Sequence, residues 1–238
     1  MTTAAFALLP AATTFALLST VAHVGDAALE RIAAAARVRL PQLDAAWEEI
    51  YSELQAPASV RIVSSTAELR DSDTAMVFTA TIDDPNALAY HSIQAGVPYG
   101  LILASADRTP AEIEEAALHE ILECRLDPSC DLYADGVAIE ACDPLQGDIV
   151  PIYIPSGAPV VAPPFVLPGY FPSFHAAGAT NSAGFALAPL DVRPGGYFQR
   201  ADGSQEFGMR YVEPAHKWHH HSRPSRRRRA RLARGASA

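Results

Sequence analysis

The sequence predicts an α+β domain: a mixed, twisted β-sheet packed on two main helices, followed by a C-terminal subregion rich in strands and loops. Three observations predict it. Apolar runs of strand length alternate with two segments of helical spacing ahead of Asp127. A capping box with proline at the first helical position opens the second helix at Thr109-Pro110-Ala111-Glu112. Beyond it, seven prolines fall between residues 151 and 172, a density that assigns extended loop rather than helix.

The first element is an apolar strand over Thr14 to Ala22. Gly25 and Asp26 then supply a turn and a cap for a helix whose apolar positions Leu29, Ile32, Ala33 and Ala36 recur with helical spacing. Pro41 is expected to kink or split this helix, with Asp44 to Leu54 as its continuation. Val60 to Ser64 and Ala75 to Ile82 are strands by their β-branched content. Ala87 to His91 is a short extended segment, Gly96-Val97-Pro98 a turn, and Tyr99 to Ala104 a buried strand. The capped helix should run to about Cys124, before Asp127-Pro128 stops it, with Ile113, Ala116, Ala117, Ile121 and Cys124 on its apolar face. Val137 to Cys142 and Ile149 to Ile154 follow as strands, and Val160 to Leu167 is a candidate edge strand. A terminal hairpin is expected over Tyr197 to Tyr211, turning at Ala201-Asp202-Gly203.

These elements divide the chain into a loose leader over 1–13, a domain over 14–212 whose 172–212 portion is the terminal hairpin region, and a disordered basic tail over 213–238 rich in His and Arg. The net charge of -9 hides an asymmetry. Eight of the 18 basic residues lie from Lys217 onward with no acid among them, so residues 1–215 set ten Arg against 27 Asp and Glu. The body would repel polyanions. The run Arg226-Arg227-Arg228-Arg229 could bind nucleic acid without sequence preference, or act as a solubilising tail. Twelve carboxylates between Asp107 and Asp148 face only Arg108 and Arg125, a self-repelling cluster that makes this segment the place to look for a cation. Cys124, Cys130 and Cys142 form no C-x-x-C pair; one Cys130–Cys142 bridge remains open. The apolar N-terminus has no basic residue ahead of it and is interrupted by Pro10, which argues against a signal peptide, and no run is long enough to span a membrane. The expected address is cytoplasmic or virion-associated.

The chemistry concentrates at His119-Glu120-Ile121-Leu122-Glu123. In the zinc-peptidase pattern H-E-x-x-H the first and fifth residues hold the metal and the second is the general base. Here Glu123 takes the fifth position. Helical geometry sets His119 and Glu123 about 40° apart around the axis and offsets Glu120 by about 100°, so the first two can share a cation while Glu120 serves its water as base. An ordinary solvated helix edge is the alternative. A third ligand must come from outside the helix, and Glu140 and Asp143 are the candidates, because they flank a predicted strand end and its turn. Asp127, directly before proline, reads as structural. His91 is either an accessory residue touching substrate or metal, or a histidine hydrogen-bonded inside the domain. One imidazole with two carboxylates is a harder donor set than zinc usually takes; zinc leads, and manganese or calcium could replace it. No G-x-S-x-G elbow supports a serine nucleophile.

Ala87-Leu88-Ala89-Tyr90-His91 with Gly96-Val97-Pro98, then Leu118 to Glu123 with Asp127-Pro128, then Ile139-Glu140-Ala141-Cys142-Asp143-Pro144 with Asp148, and finally Pro194-Gly195-Gly196-Tyr197 resemble motifs of a largely uncharacterised group of bacterial and phage-associated proteins. The element order up to the His119 helix is similar to the upper half of zincin metallopeptidases, where an active helix packs under a twisted sheet with a short edge strand. That resemblance implies a zincin-like fold, ligand positions at His119 and Glu123, and the base at Glu120. The leading expectation is therefore a metal-dependent peptidase or amide hydrolase acting on a peptide or protein. A non-catalytic structural or interaction protein of the same fold, for instance in a virion, stands beside it. Third comes a nucleic-acid-associated protein acting through its tail.

Overall fold

The computed structural model describes residues 13–51, 56–84, 87–155, 157–174 and 178–208. Most of the leader and the whole basic tail, with Arg226 to Arg229, lie outside the described residues. The architecture is mixed α+β, with a five-stranded sheet and two helices.

Five strands, β1 (Thr14–Ser19), β2 (Ser59–Val63), β3 (Asp73–Thr79), β4 (Ala89–Gln94) and β5 (Val97–Leu103), form the sheet in the order β2-β1-β3-β5-β4. Four run parallel, and β4 lies antiparallel to β5 at one edge, with His91 opposite Gly100. A parallel pair needs a long crossover, and α1 (Asp26–Trp47) supplies it between β1 and β2. The tight turn between β4 and β5 falls on Ala95-Gly96, both at positive φ (51° and 82°), one step earlier than the expected Gly96-Val97-Pro98. Val97 and Pro98 therefore open β5 instead.

The strands alternate faces. Phe15, Leu17, Met76, Phe78 and Ile102 point into the main core with both helices, whereas Ala16, Leu18 and Val63 form a small cluster on the other side. Helix α1 runs unbroken through Pro41, contrary to the expected kink or split. Pro41 is exposed, so its ring meets solvent rather than the core. Helix α2 (Pro110–Leu126) starts as expected: Thr109 Oγ1 accepts from Glu112 N–H at 3.3 Å, and Glu112 Oε2 accepts from Thr109 N–H at 2.8 Å.

The two helices are tied by a buried, two-pronged ion pair, Arg125 Nε to Asp44 Oδ1 at 2.8 Å and Nη2 to Oδ2 at 3.1 Å. Beyond α2 come three hairpins: β6 (Tyr133–Ala134) with β7 (Val137–Ala138), β8 (Val150–Ile152) with β9 (Val160–Ala162), and β10 (Tyr197–Gln199) with β11 (Gln205–Phe207). The expected strand over Val137 to Cys142 thus keeps two paired residues. The rest leaves the ladder, and Asp143–Leu145 forms a single 3-10 turn. Strand β9 packs against both helices. Among the described residues, no helix is long and apolar enough to cross a membrane.

Candidate metal centre

Helix α2 is buried at every residue from Ala116 to Leu126, because α1, strands β4 and β5 of the sheet and strand β9 all pack against it. Its polar residues at 119, 120 and 123 are therefore buried, and a buried polar group must find a partner. Their partners come from β4 and from the segment that follows β7.

His119 Nε2 lies 3.1 Å from Glu123 Oε1 and 3.1 Å from Asp143 Oδ1. Glu123 Oε1 also accepts the backbone N–H groups of Cys142, at 3.0 Å, and Asp143, at 3.1 Å. One carboxylate thus docks the loop that delivers Asp143. On the neighbouring side of the helix, His91 Nδ1 lies 2.9 Å from Glu120 Oε2, its Nε2 lies 3.0 Å from the Asp127 carbonyl oxygen, and Glu140 Oε2 sits 3.9 Å from the same Nε2.

Every residue expected at the site is thus in one buried cluster, but in two groups. His119, Glu123 and Asp143 converge; Glu140, expected beside Asp143, faces His91 instead, three residues earlier on a chain that turns sharply at 143. Asp127 has the structural role foreseen for it, accepting from the N–H groups of Asp131 and Leu132 at 3.0 Å each. The Cys130–Cys142 bridge is not formed: all three cysteines are free and buried. Burial pushes each thiol up, which keeps them protonated packers rather than thiolate ligands. Cys130 Sγ donates to the carbonyl of His91 at 3.5 Å.

Among the described residues, two groups could hold a metal ion, with ligand atoms within 4.8 Å of one another: His119, Glu123 and Asp143, and His91, Glu120 and Glu123. Burial alone would lower the pKa of both imidazoles. For His119, Glu123 and Asp143 outweigh it and raise the ring well above its ordinary value; for His91, Cys130, Glu140 and Glu120 do so. Because the Cys130 thiol is itself raised, and so neutral near pH 7, the two carboxylates carry the effect at His91. Arg125 offers no relief, since its guanidinium is committed to Asp44.

Sequence reasoning missed Tyr197. This residue is 2% exposed at the start of β10, and its phenol hydrogen-bonds Asp143. Burial, then Asp143 and Glu123, push it well up, so it stays a proton donor. The signal was the turn Pro194-Gly195-Gly196 immediately before it. Gly196 brings β10 against the 3-10 turn: a Cβ there would lie 2.4 Å from Pro144 O and 2.8 Å from Asp143 O. No protein-family model, curated protein or solved structure matches the chain.

Proposed function

We propose that the chain is a metal-dependent peptidase or amide hydrolase of zincin-like fold, with its cation held by His119, Glu123 and Asp143. One observation carries the reading: a single ring nitrogen, His119 Nε2, stands 3.1 Å from two carboxylate oxygens at once. An imidazole nitrogen has at most one N–H and cannot direct it along two lines. The edge of a tetrahedron with metal–ligand bonds near 2.0–2.1 Å is roughly 3.3–3.4 Å, close to both separations. The helix under a sheet whose edge strand runs antiparallel supports the same reading.

Bound there, a divalent cation would acidify a water and polarise a carbonyl. Glu120, one residue along the helix, is the group to take the proton from that water. The His91 ring, fixed by the Asp127 carbonyl, holds the Glu120 carboxylate in place, and the Tyr197 phenol holds Asp143.

The test is metal analysis of purified protein beside His119→Ala. Stoichiometric zinc or manganese in the wild type, lost in the variant, is the expected result; wild type free of metal after loading would sink the proposal. With metal bound, Glu120→Gln should lower hydrolysis of casein or a peptide library by at least about 100-fold while metal content holds.

A second reading is favoured by burial. His91, His119, Glu120, Glu123, Glu140 and Asp143 are each 6% exposed or less, which leaves a peptide no open approach through the described residues. In that reading the cation is structural: it ties the 139–146 loop to α2 in a non-catalytic interaction protein. Bound metal with no hydrolysis of any peptide in the library selects it.

A further inference from the structure

Two buried carboxylates and one imidazole of the cluster lie outside the His119 group. Glu120, Glu140 and His91 lie alongside it, 1%, 5% and 6% exposed. Counted together, Glu120, Glu123, Glu140 and Asp143 are four carboxylates, and the nearest guanidinium on α2 is bound to Asp44.

His91, Glu120 and Glu123 form a second ligand set beside the first. His91 Nε2 faces the carbonyl oxygen of Asp127 at 3.0 Å, and a carbonyl accepts, so the ring's proton belongs on Nε2. That is the outer-shell arrangement that fixes a metal-binding imidazole, and it leaves the Nδ1 lone pair as the ligand. Nδ1 points at Glu120 Oε2, 2.9 Å away, and Glu123 completes a triad whose ligand atoms lie within 4.8 Å of one another. Glu123 is common to both triads. Its contacts with His119, Cys142 and Asp143 all fall on Oε1, so a bridging role would use Oε2 for the second ion.

We infer that a second divalent cation binds between His91, Glu120 and Glu123, with Glu123 bridging it to the ion at His119. The inference rests on the first cation proposed above and changes the role of Glu120. In the one-cation state Glu120 is the base; in the two-cation state it is a ligand and cannot take a proton. Its donor set of one nitrogen and two carboxylates is hard, and suits manganese or zinc.

The experiment is Mn2+ titration of the full chain, read as bound metal per chain and by electron paramagnetic resonance. Two ions per chain and an exchange-coupled signal are expected at saturation, because a bridging carboxylate couples the two spins. His91→Phe should bind one ion with an uncoupled signal. Wild type that saturates at one ion overturns the second site and leaves the first intact, whereas no bound ion removes both. Two ions retained by His91→Phe would overturn the ligand assignment. Should that variant fail to fold, the coupled or uncoupled wild-type spectrum decides.

Discussion

Glu123 is the residue on which the cluster turns, because it serves two purposes with one carboxylate. Its Oε1 anchors the N–H groups of Cys142 and Asp143, and the same group belongs to both candidate ligand sets. The two roles separate by substitution. Glu123→Ala leaves two buried N–H groups without an acceptor, each costing about 1–3 kcal/mol, so the metal-free protein should lose about 2–6 kcal/mol in urea unfolding. Glu123→Gln retains a carbonyl for those donors and removes the charge. It should keep most of the stability and lose the metal. Equal loss of stability in both variants would show that charge, not hydrogen bonding, holds the loop.

At the scale of elements, the sequence was legible where a local rule acts alone. The Thr109–Glu112 box sets the start of α2, an apolar run marks β1, and β-branched runs mark β2 and β3 to within a few residues. Pro41 was misjudged because helix packing along Leu40, Leu43 and Trp47 outweighs the one backbone donor it lacks. The hairpin of β6 and β7 was missed although Asp135-Gly136, both at positive φ, is a strong turn signal; strands of two residues show no alternation to read. The helix-borne pair His119 and Glu123 was readable from spacing. The partnership of Glu120 with His91 was not, since it depends on β4 lying at the sheet edge above α2. The join between β10 and the 3-10 turn at Asp143 is likewise non-local, and it is testable. Gly196→Ala adds a Cβ 2.4 Å from Pro144 O, too close to stand, so β10 must retreat and take Tyr197 away from Asp143. The expected outcome is a loss of about 1–3 kcal/mol with weakened metal binding. Gly25→Ala, whose added Cβ would meet Ala22 O at 4.0 Å, serves as the control. Unchanged metal affinity in Gly196→Ala would separate β10 from the site.

For the molecule as a whole, the buried histidines make stability depend on pH in opposite directions with and without metal. In the metal-free chain, Glu123 and Asp143 hold the His119 ring, and Glu140 and Glu120 the His91 ring, well above the ordinary value of 6.5 despite the lowering effect of burial. A folded-state pKa raised above the unfolded one contributes stability that is complete below about pH 6.5 and is lost as pH rises through the folded value. The metal-free protein should therefore weaken from about pH 6.5 upward. With a cation bound at each imidazole, the folded state keeps the rings neutral while the unfolded chain still takes up protons below about pH 6.5, so stability grows as pH rises toward that value. Urea midpoints between about pH 5.5 and 8.5 should fall above about pH 6.5 in chelator and rise toward about pH 6.5 in saturating zinc or manganese. A flat profile in chelator would mean that the carboxylates do not hold the imidazoles charged. Parallel profiles would mean that the added ion does not reach them, and the cluster would then be a hydrogen-bonded keystone and not a metal centre.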